Sequence, residues 1–522
     1  MSKRLINAQK FPSITGITFN RFRMRDVIFF IGVIGLLICG TVASAQLKAG
    51  VSKVNITNIE ASGTVLDSLY IRALVLGNGS TKAVIISVDA VAIGKIGSIG
   101  DDYLSNVRSR IKKELGIEGT NVLVNASHLH GAGYKVCMDI EDRTVHAVKK
   151  ATQNMVPVNI GAGSGYEDRI TENHILKLTN GKGWAIRHAN PLPPDEEVES
   201  VGPIDPEIGI LRLDKKNGDP LAVVYNFTGH PYQGIIGQTA GYPGFASKLI
   251  EQNLGKGAVA MFIQGFAGDV IPILYKDVHS IRDQEPMGTM LGLSAMEAIK
   301  NIKTGKDGNL KVLNEIVKFP RRTDYAERIA AMEKEQADLL RSLQGTSLNF
   351  KTFLPLYINY NLYEEFPSYY SHRYLHDKML GRDDMEKLDA ENRRNIAKYL
   401  RNIYAMEKLA RLQYNLGLVK ERRIENESAG ESTMDIEIQA MKIGDFVLVT
   451  FPAEPSVQVG LNIKSKSPFK NTFVAGYTNG YIHYTPTAEQ IGSGAYQDHS
   501  CLLTPEWQKI YEEKVAEMLK KL

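Results

Sequence analysis

The chain has 522 residues, with 62 Lys and Arg against 58 Asp and Glu, 43% hydrophobic side chains, 46 Gly, 20 Pro and three Cys. That balance excludes a disulfide-stapled miniprotein, a collagen, a polytopic membrane protein and a disordered chain. The formal charge of +4 suggests acidic partners, but its placement matters more than its size.

Residues 1–45 carry six basic side chains (Lys3, Arg4, Lys10, Arg21, Arg23, Arg25) and one acidic one, Asp26. The remainder holds 56 basic against 57 acidic groups, a net charge of −1. The basic cluster precedes an apolar run, residues 27–39, and Ala43-Ser44-Ala45 offers the small-x-small pattern that a signal peptidase reads. The run is short for a bilayer span. The segment therefore reads as a secretory signal cut after Ala45, with an uncleaved anchor as the competing reading and Met24 as an alternative start. Export would make the mature chain, 46–522, secreted or periplasmic. Losing Cys39 leaves Cys137 and Cys501, which either form one disulfide or stay as buried thiols.

From about residue 47 to 317, short apolar strands such as LYIRALVL, KAVIISVDAVAI and NVLVNAS alternate with helical stretches such as YLSNVRSRIKKELG. This pattern predicts an α/β layered domain with a mixed sheet and flanking helices, its β-branched runs forming buried strands. Residues 323–417 predict a helical insertion. Asp324 and Glu327 form a capping-box pattern, Gly345 ends the first helix, and a second runs from Asp383 until Gly417. Between them lie nine rings: Phe350, Phe353, Tyr357, Tyr360, Tyr363, Phe366, Tyr369, Tyr370 and Tyr374. These either glue the insertion to the α/β core or wall a substrate cleft. Strands return from residue 434 as a hairpin about Ile443-Gly444-Asp445, and a polar helix closes the sequence at 504–522.

Chemistry concentrates just after apolar strands, where α/β sheets bind ligands. NVLVNAS leads into His128-Leu129-His130 and Gly131-Ala132-Gly133; in extended backbone, residues i and i+2 share a side, so the two imidazoles converge. His230 follows the strand at 221–227, and Glu454 follows VLVTF as a carboxylate in need of a partner. YTNGYIHYTPT crowds Tyr477, Asn479, Tyr481, His483 and Tyr484 together. Each has a plain structural explanation, yet together His, His, Glu and Tyr make a ligand set of the kind Zn²⁺ accepts.

Taken in order, LYIRALVL with VDAVAIG, NASHLHGAG, IDPEIGILRLD, NFTGHP, YPGFA, GFAGDVIP, FPAEP and NGYIHYTPT resemble the catalytic domain of the neutral, non-lysosomal ceramidases. These are zinc amidases that hydrolyse the N-acyl bond of ceramide. The resemblance covers most of 47–300 and 434–500. It implies zinc ligands at His128, His230, Glu454 and Tyr484. It sets His130 beside the metal, and His130, Asp269 and Tyr481 around the developing oxyanion or leaving group. Tyr477 and Asn479, with Arg187 and His188 of the 186–197 loop, are the substrate-binding candidates. The family's Gly-Asp-Val-Ser-Pro reads Gly268-Asp269-Val270-Ile271-Pro272 here, and its C-terminal immunoglobulin-like domain has no counterpart. Ile271 can neither donate a hydrogen bond nor act as a nucleophile.

The resulting expectation is an exported zinc-dependent hydrolase cleaving an N-acyl bond of a lipid or sugar. The alternatives are a glycan-directed hydrolase or lyase at the same metal site, or a non-catalytic binding protein of this fold. A small-molecule, lipid or glycan substrate is the expected partner. Membrane contact would come only through an anchor or a lipid substrate. Nucleic acid is excluded, because the basic residues of the insertion alternate with acidic ones as on a solvated helix. Because Cys137 follows the His-x-His loop and Cys501 the Tyr484 segment, a disulfide would tie those two loops together.

Overall fold

Strands that are apolar at nearly every position must be covered on both faces, and four stacked layers do this in the computed structural model. The described residues are 46–60, 64–186, 192–231, 238–273 and 284–522. The signal-like segment 1–45 lies outside them, as do Arg187 and His188. Among the described residues, no helix is long and apolar enough to cross a membrane.

The chain begins with β1 (Lys48–Asn55), β2 (Tyr70–Gly77), β3 (Lys82–Val88), α1 (Tyr103–Leu115), β4 (Val122–Ala126), α2 (Ile140–Gln153) and β5 (Val156–Tyr166). Four short strands follow: β6 (Thr171–Asn173), β7 (Ile175–Leu178), β8 (Gly183–Ala185) and β9 (Val198–Val201). Next come β10 (Glu207–Lys215), β11 (Pro220–Phe227), α3 (Gly241–Leu254), β12 (Val259–Gln264), β13 (Val270–Pro272), α4 (Glu285–Asn301) and β14 (Leu310–Pro320). The insertion supplies α5 (Tyr325–Ser342), α6 (Phe350–Leu362), α7 (Ser371–Met379) and α8 (Asp384–Ser428). The chain ends with β15 (Thr433–Ile443), β16 (Phe446–Thr450), β17 (Glu454–Pro455), α9 (Val457–Lys466), β18 (Asn471–Ala475), β19 (Tyr484–Thr485), α10 (Tyr496–Ser500) and α11 (Glu506–Lys521).

The larger sheet has the order β12-β11-β10-β5-β1-β2-β3-β4, and the smaller the order β14-β15-β16-β18. Parallel pairs occur at β3–β4 and β11–β12 in the first and at β16–β18 in the second. Strand alternation divides the side chains. Ile71, Ala73 and Val75 of β2 join the helical side with Val107 of α1 and Val148 of α2. Leu74 and Leu76 join Phe446, Leu448 and Phe473 in the core between the sheets. Helices α3 and α4 cover the other half of the large sheet, and α9 and α11 the outer face of the small one. Each fully buried aliphatic or aromatic side chain contributes about 1.5–3 kcal/mol, so a charge in this interior needs its partner. Arg72 of β2 has one: its Nη1 lies 3.0 Å from both oxygens of Asp89, which also accepts the Tyr70 N–H. Asp89 opens the loop that later meets His128.

The insertion departs from expectation in three ways. Asp324 does precede α5, but its carboxylate is held by the Arg322 guanidinium instead of capping the helix. Gly417 does not stop α8, which continues to Ser428. A helical Gly costs only about 1 kcal/mol, and Leu412, Leu416 and Val419 on either side of it pack against Tyr325, Ile329 and Met332 of α5. Three of the rings turn inward on the insertion itself: Phe353 stacks on Tyr399 of α8 at 4.5 Å, and Tyr360 and Tyr374 both donate to Asp389 at 2.7 Å.

Cys137 and Cys501 are free thiols, which corrects the disulfide alternative. They belong to cores on different sheets, Cys137 beside α1 and α2 and Cys501 beneath α11, so nearness in sequence to the site loops does not bring them together. Burial pushes Cys137 up to about 11 and Cys501 up to about 12.

Two outcomes follow. Asp89→Asn leaves Arg72 as an uncompensated buried charge and should cost about 3–5 kcal/mol in urea unfolding; a loss under 1 kcal/mol would refute this role. His499 of α10 is neutral: burial pushes its pKa down to about 4. As pH falls, the unfolded chain takes up this proton near 6.5 and the folded chain only near 4, so the stability contributed by neutral His499 is full above 6.5 and lost between 6.5 and 4. Over that window the wild type should lose roughly 3 kcal/mol more than His499→Gln, read from unfolding free energies at matched pH.

Candidate metal centre

The C-terminal ends of strands from both sheets open onto one place. Two buried amides join the sheets there. Asn125 Nδ2 donates to the Gly476 carbonyl (2.8 Å) and to Thr478 Oγ1 (2.9 Å), and Asn226 Nδ2 donates to the carbonyls of Ile263 (3.0 Å) and Val474 (2.9 Å). His128 then leaves β4, His230 leaves β11, and Glu454 follows β16. His128 is not extended, as its φ is +61°. The convergence with His130 expected from alternation is real, at 4.7 Å between ring centroids, but a left-handed kink produces it.

Hydrogen bonding fixes the protonation of two rings. His128 Nδ1 lies 2.7 Å from the Val91 carbonyl, and His230 Nδ1 lies 2.7 Å from that of Ala267. A carbonyl only accepts, so both Nδ1 atoms carry the proton and both Nε2 atoms present bare lone pairs. Those lone pairs face each other at 3.0 Å, and Glu454 Oε2 stands 3.2 Å from His128 Nε2 and 3.3 Å from His230 Nε2. His130 Nε2 is 3.2 Å from His128 Nε2, and the three ring nitrogens lie within 4.8 Å of one another. Three acceptors packed this closely repel unless a cation sits among them. Ligands of tetrahedral zinc, at about 2.0–2.1 Å from the metal, stand roughly 3.3 Å apart, so the donor set fits that ion. Burial pushes the His128 pKa down, which keeps the ring neutral.

Tyr481 donates its hydroxyl to Glu454 Oε1, and Tyr477 donates to Oε2 at 3.4 Å. Burial raises both phenols well above 10, so they remain donors. Tyr477 has no exposed surface, and its ring stacks 4.1 Å from that of His128. Asn479 is equally committed: its Oδ1 accepts the Val124 N–H, and its Nδ2 donates to Glu437 and Gln439. The structure thus gives Tyr477 and Asn479, two substrate-binding candidates of the sequence reading, internal partners that brace the centre. Asp269 is buried and accepts the N–H of Val457, three residues beyond Glu454, at 2.7 Å. Burial raises its pKa against the hydrogen bonds from Val457, Asn173 and Ser456. Gly268 beside it is a close approach, since a Cβ there would run into the Glu454 carbonyl. Tyr484 is the register partner of Glu454 in the parallel β17–β19 pair, and directly paired residues share a sheet face. Ile271 lies in β13 opposite Glu172 and is buried.

Sequence reading missed the contribution of α8. Glu425 Oε2 stands 3.0 Å from His483 Nε2 and Arg422 Nη1 touches the same atom, while the His483 carbonyl accepts the Glu454 N–H at 2.9 Å. The only signal was the crowding of charges beyond Gly417.

No protein-family model matches the chain. The neutral ceramidase of Mycobacterium tuberculosis is 30% identical over 108 residues, which span 19% of this chain and 17% of that protein. Among solved structures, a ceramidase complexed with C2 superposes with a TM-score of 0.56 at 16% identity, covering 91% of this chain and 75% of the other. The neutral ceramidase from Pseudomonas aeruginosa gives 0.55 at 16% identity, covering 92% and 75%. The resemblance carried by the strand-end motifs therefore extends to the architecture, and this chain has the neutral ceramidase fold.

Proposed function

We propose that the protein is an exported, zinc-dependent amide hydrolase that cleaves the N-acyl bond of a lipid or an N-acylated sugar. The observation that carries this reading is the set of inward-facing lone pairs on His128, His230 and Glu454, with the His130 ring beside them. His128, His230 and Glu454 would hold the zinc, with Tyr484 as the fourth group by its pairing with Glu454. Zinc supplies a water of lowered pKa and polarises the scissile carbonyl. The chain supplies orientation and proton transfer. Amide hydrolysis adds water across the C–N bond, and the amine departs only after taking a proton. Of the three imidazoles, His130 alone is partly exposed, which suits it to deliver that proton to a bound substrate. Tyr481 and Tyr477 keep Glu454 fixed, and Asp269 anchors the start of α9 behind it. With Ile271 where the resemblance implies Ser, one hydroxyl donor is gone. The reading therefore assigns the chemistry to zinc and His130, and leaves the substrate preference apart from ceramide. The signal-like N-terminus supports export.

Elemental analysis of the mature chain should find one zinc per molecule, and chelation should abolish hydrolysis of N-acyl lipids or N-acyl amino sugars. His230→Ala should lose the metal and at least about 10²-fold in kcat/KM. Full activity in metal-free protein would end the proposal, as would zinc-loaded protein inert on both substrate classes. Gly268→Ala, which pushes on the Glu454 carbonyl without touching a ligand, should weaken zinc binding by about 10–100-fold in competition with a chelating dye. Unaltered affinity would show that the loop does not position Glu454.

A further inference from the structure

Positions 411, 414, 418, 422 and 425 of α8 fall on one helical stripe. At one end, Arg422 and Glu425 meet His483, whose carbonyl holds Glu454. In the middle, the exposed Tyr414 ring lies 6.1 Å from Tyr496, which is 5.3 Å from Tyr484. At the other end, the Arg411 guanidinium lies 3.7 Å over the Trp184 ring. The stripe therefore runs from the metal centre to a half-buried cation on an aromatic floor.

Among the described residues, Arg411 has no ion-paired carboxylate. Its Nη1 is buried without a hydrogen-bond partner among the described residues. Burial pulls its pKa down to about 10, opposed only by the field of Glu335. Arg328, by contrast, is ion-paired: its Nη2 reaches Asp498 and His499 Nδ1 at 3.4 and 2.9 Å. A guanidinium withdrawn from water is unfavourable without an anion, and its fork matches carboxylate, sulfate and phosphate oxygens. Stacking on Trp184 fixes the guanidinium plane and leaves its edge for such a group.

We propose that Arg411, stacked on Trp184, binds an oxyanion carried by the substrate, so that the preferred substrates are N-acyl compounds bearing a carboxylate, sulfate or phosphate. The word substrate rests on the hydrolase reading above, whereas the anion pocket rests on α8 and Trp184 alone.

The chain has two Trp, and Trp507 is fully buried with its Nε1 bonded to the Pro486 carbonyl, so changes in emission at the pocket report on Trp184. The full mature chain is titrated with sodium sulfate, phosphate and acetate at constant ionic strength. At least one should give a saturable emission change with half-saturation on the order of 1 mM. The change should vanish in Arg411→Gln and Trp184→Phe, and weaken at least about tenfold in Arg411→Lys, which keeps the charge but not the planar fork. The salt that saturates lowest identifies the anion class. In turnover, N-octanoylethanolamine is compared with its O-sulfate and O-phosphate and with N-octanoylglycine. A charged member should be preferred at least about tenfold in kcat/KM by the wild type, the ratio falling to about one in Arg411→Gln. Because the unpaired cation is unfavourable in the free protein, Arg411→Gln should leave Tm unchanged or higher; a lower Tm with no change in the ratio would make the stack structural and overturn the proposal. So would silence with all three salts, or a full response in Arg411→Gln. Anion binding without cleavage of any amide would defeat the hydrolase reading and leave the pocket standing.

Discussion

The repulsion among three acceptors is the constraint on which the rest of this molecule turns. His128 Nε2, His230 Nε2 and Glu454 Oε2 face one another at 3.0 to 3.3 Å, and with neutral rings whose Nδ1 protons go to Val91 and Ala267 all three atoms present lone pairs. Such a cluster disperses unless each member is held from behind, and each is. The carbonyls that fix the two rings come from loops that leave β3 and β12, and Tyr481 and Tyr477 grip the carboxylate. The two sheets have to end at the same height for these loops to meet, which is the task of Asn125 and Asn226. Their side-chain amides add to the backbone pairing of Asn125 with Thr478 where the sheets converge.

The part of this that was legible in the sequence is the part that breaks a pattern. A His or Glu directly after an apolar strand stands out, and His128, His230 and Glu454 were each found in that way. The layered α/β architecture was legible for a related reason, since strands apolar on both faces imply layers on both faces. Residue type could not separate contact with a substrate from contact within the fold. Tyr477 and Asn479 sit in the same polar segment as Tyr481 and Tyr484, yet backbone geometry sends one ring under His128 and commits the amide to Val124, Glu437 and Gln439. Capping and stopping rules failed at Asp324 and Gly417 because tertiary partners, Arg322 for one and the α5 interface for the other, outweigh local preferences of about 1 kcal/mol.

The insertion shows the same competition on a larger scale. Its nine rings divide between an inner core of the insertion and its surface. Phe353, Tyr360 and Tyr374 build a small core against the first half of α8, centred on Asp389, whose carboxylate collects the hydroxyls of Tyr360, Ser368 and Tyr374, while Phe350, Tyr363, Tyr369 and Tyr370 are exposed. That frees the second half of α8, packed on α5, to run along the candidate metal centre. A helix of 45 residues extends for about 68 Å, which is long enough to be anchored at one end and to line the site at the other.

Backbone strain marks the join between these parts. Six described non-glycine residues have positive φ, and four of them, His128, Tyr477, Asn479 and His483, surround the centre. Each such conformation costs on the order of 1–3 kcal/mol and persists only where neighbours over-determine it. The flanking amides of His128 bond to Val88 and Ala90, Tyr477 N–H to Ala453, and Asn479 N–H to Val124. His483 is held from both sides, its carbonyl by Glu454 and its ring by Arg422 and Glu425 of α8. The carboxylate of the metal centre and the helix that lines the site are thus fixed through one strained residue. A displacement of α8 would therefore be transmitted to Glu454 through His483.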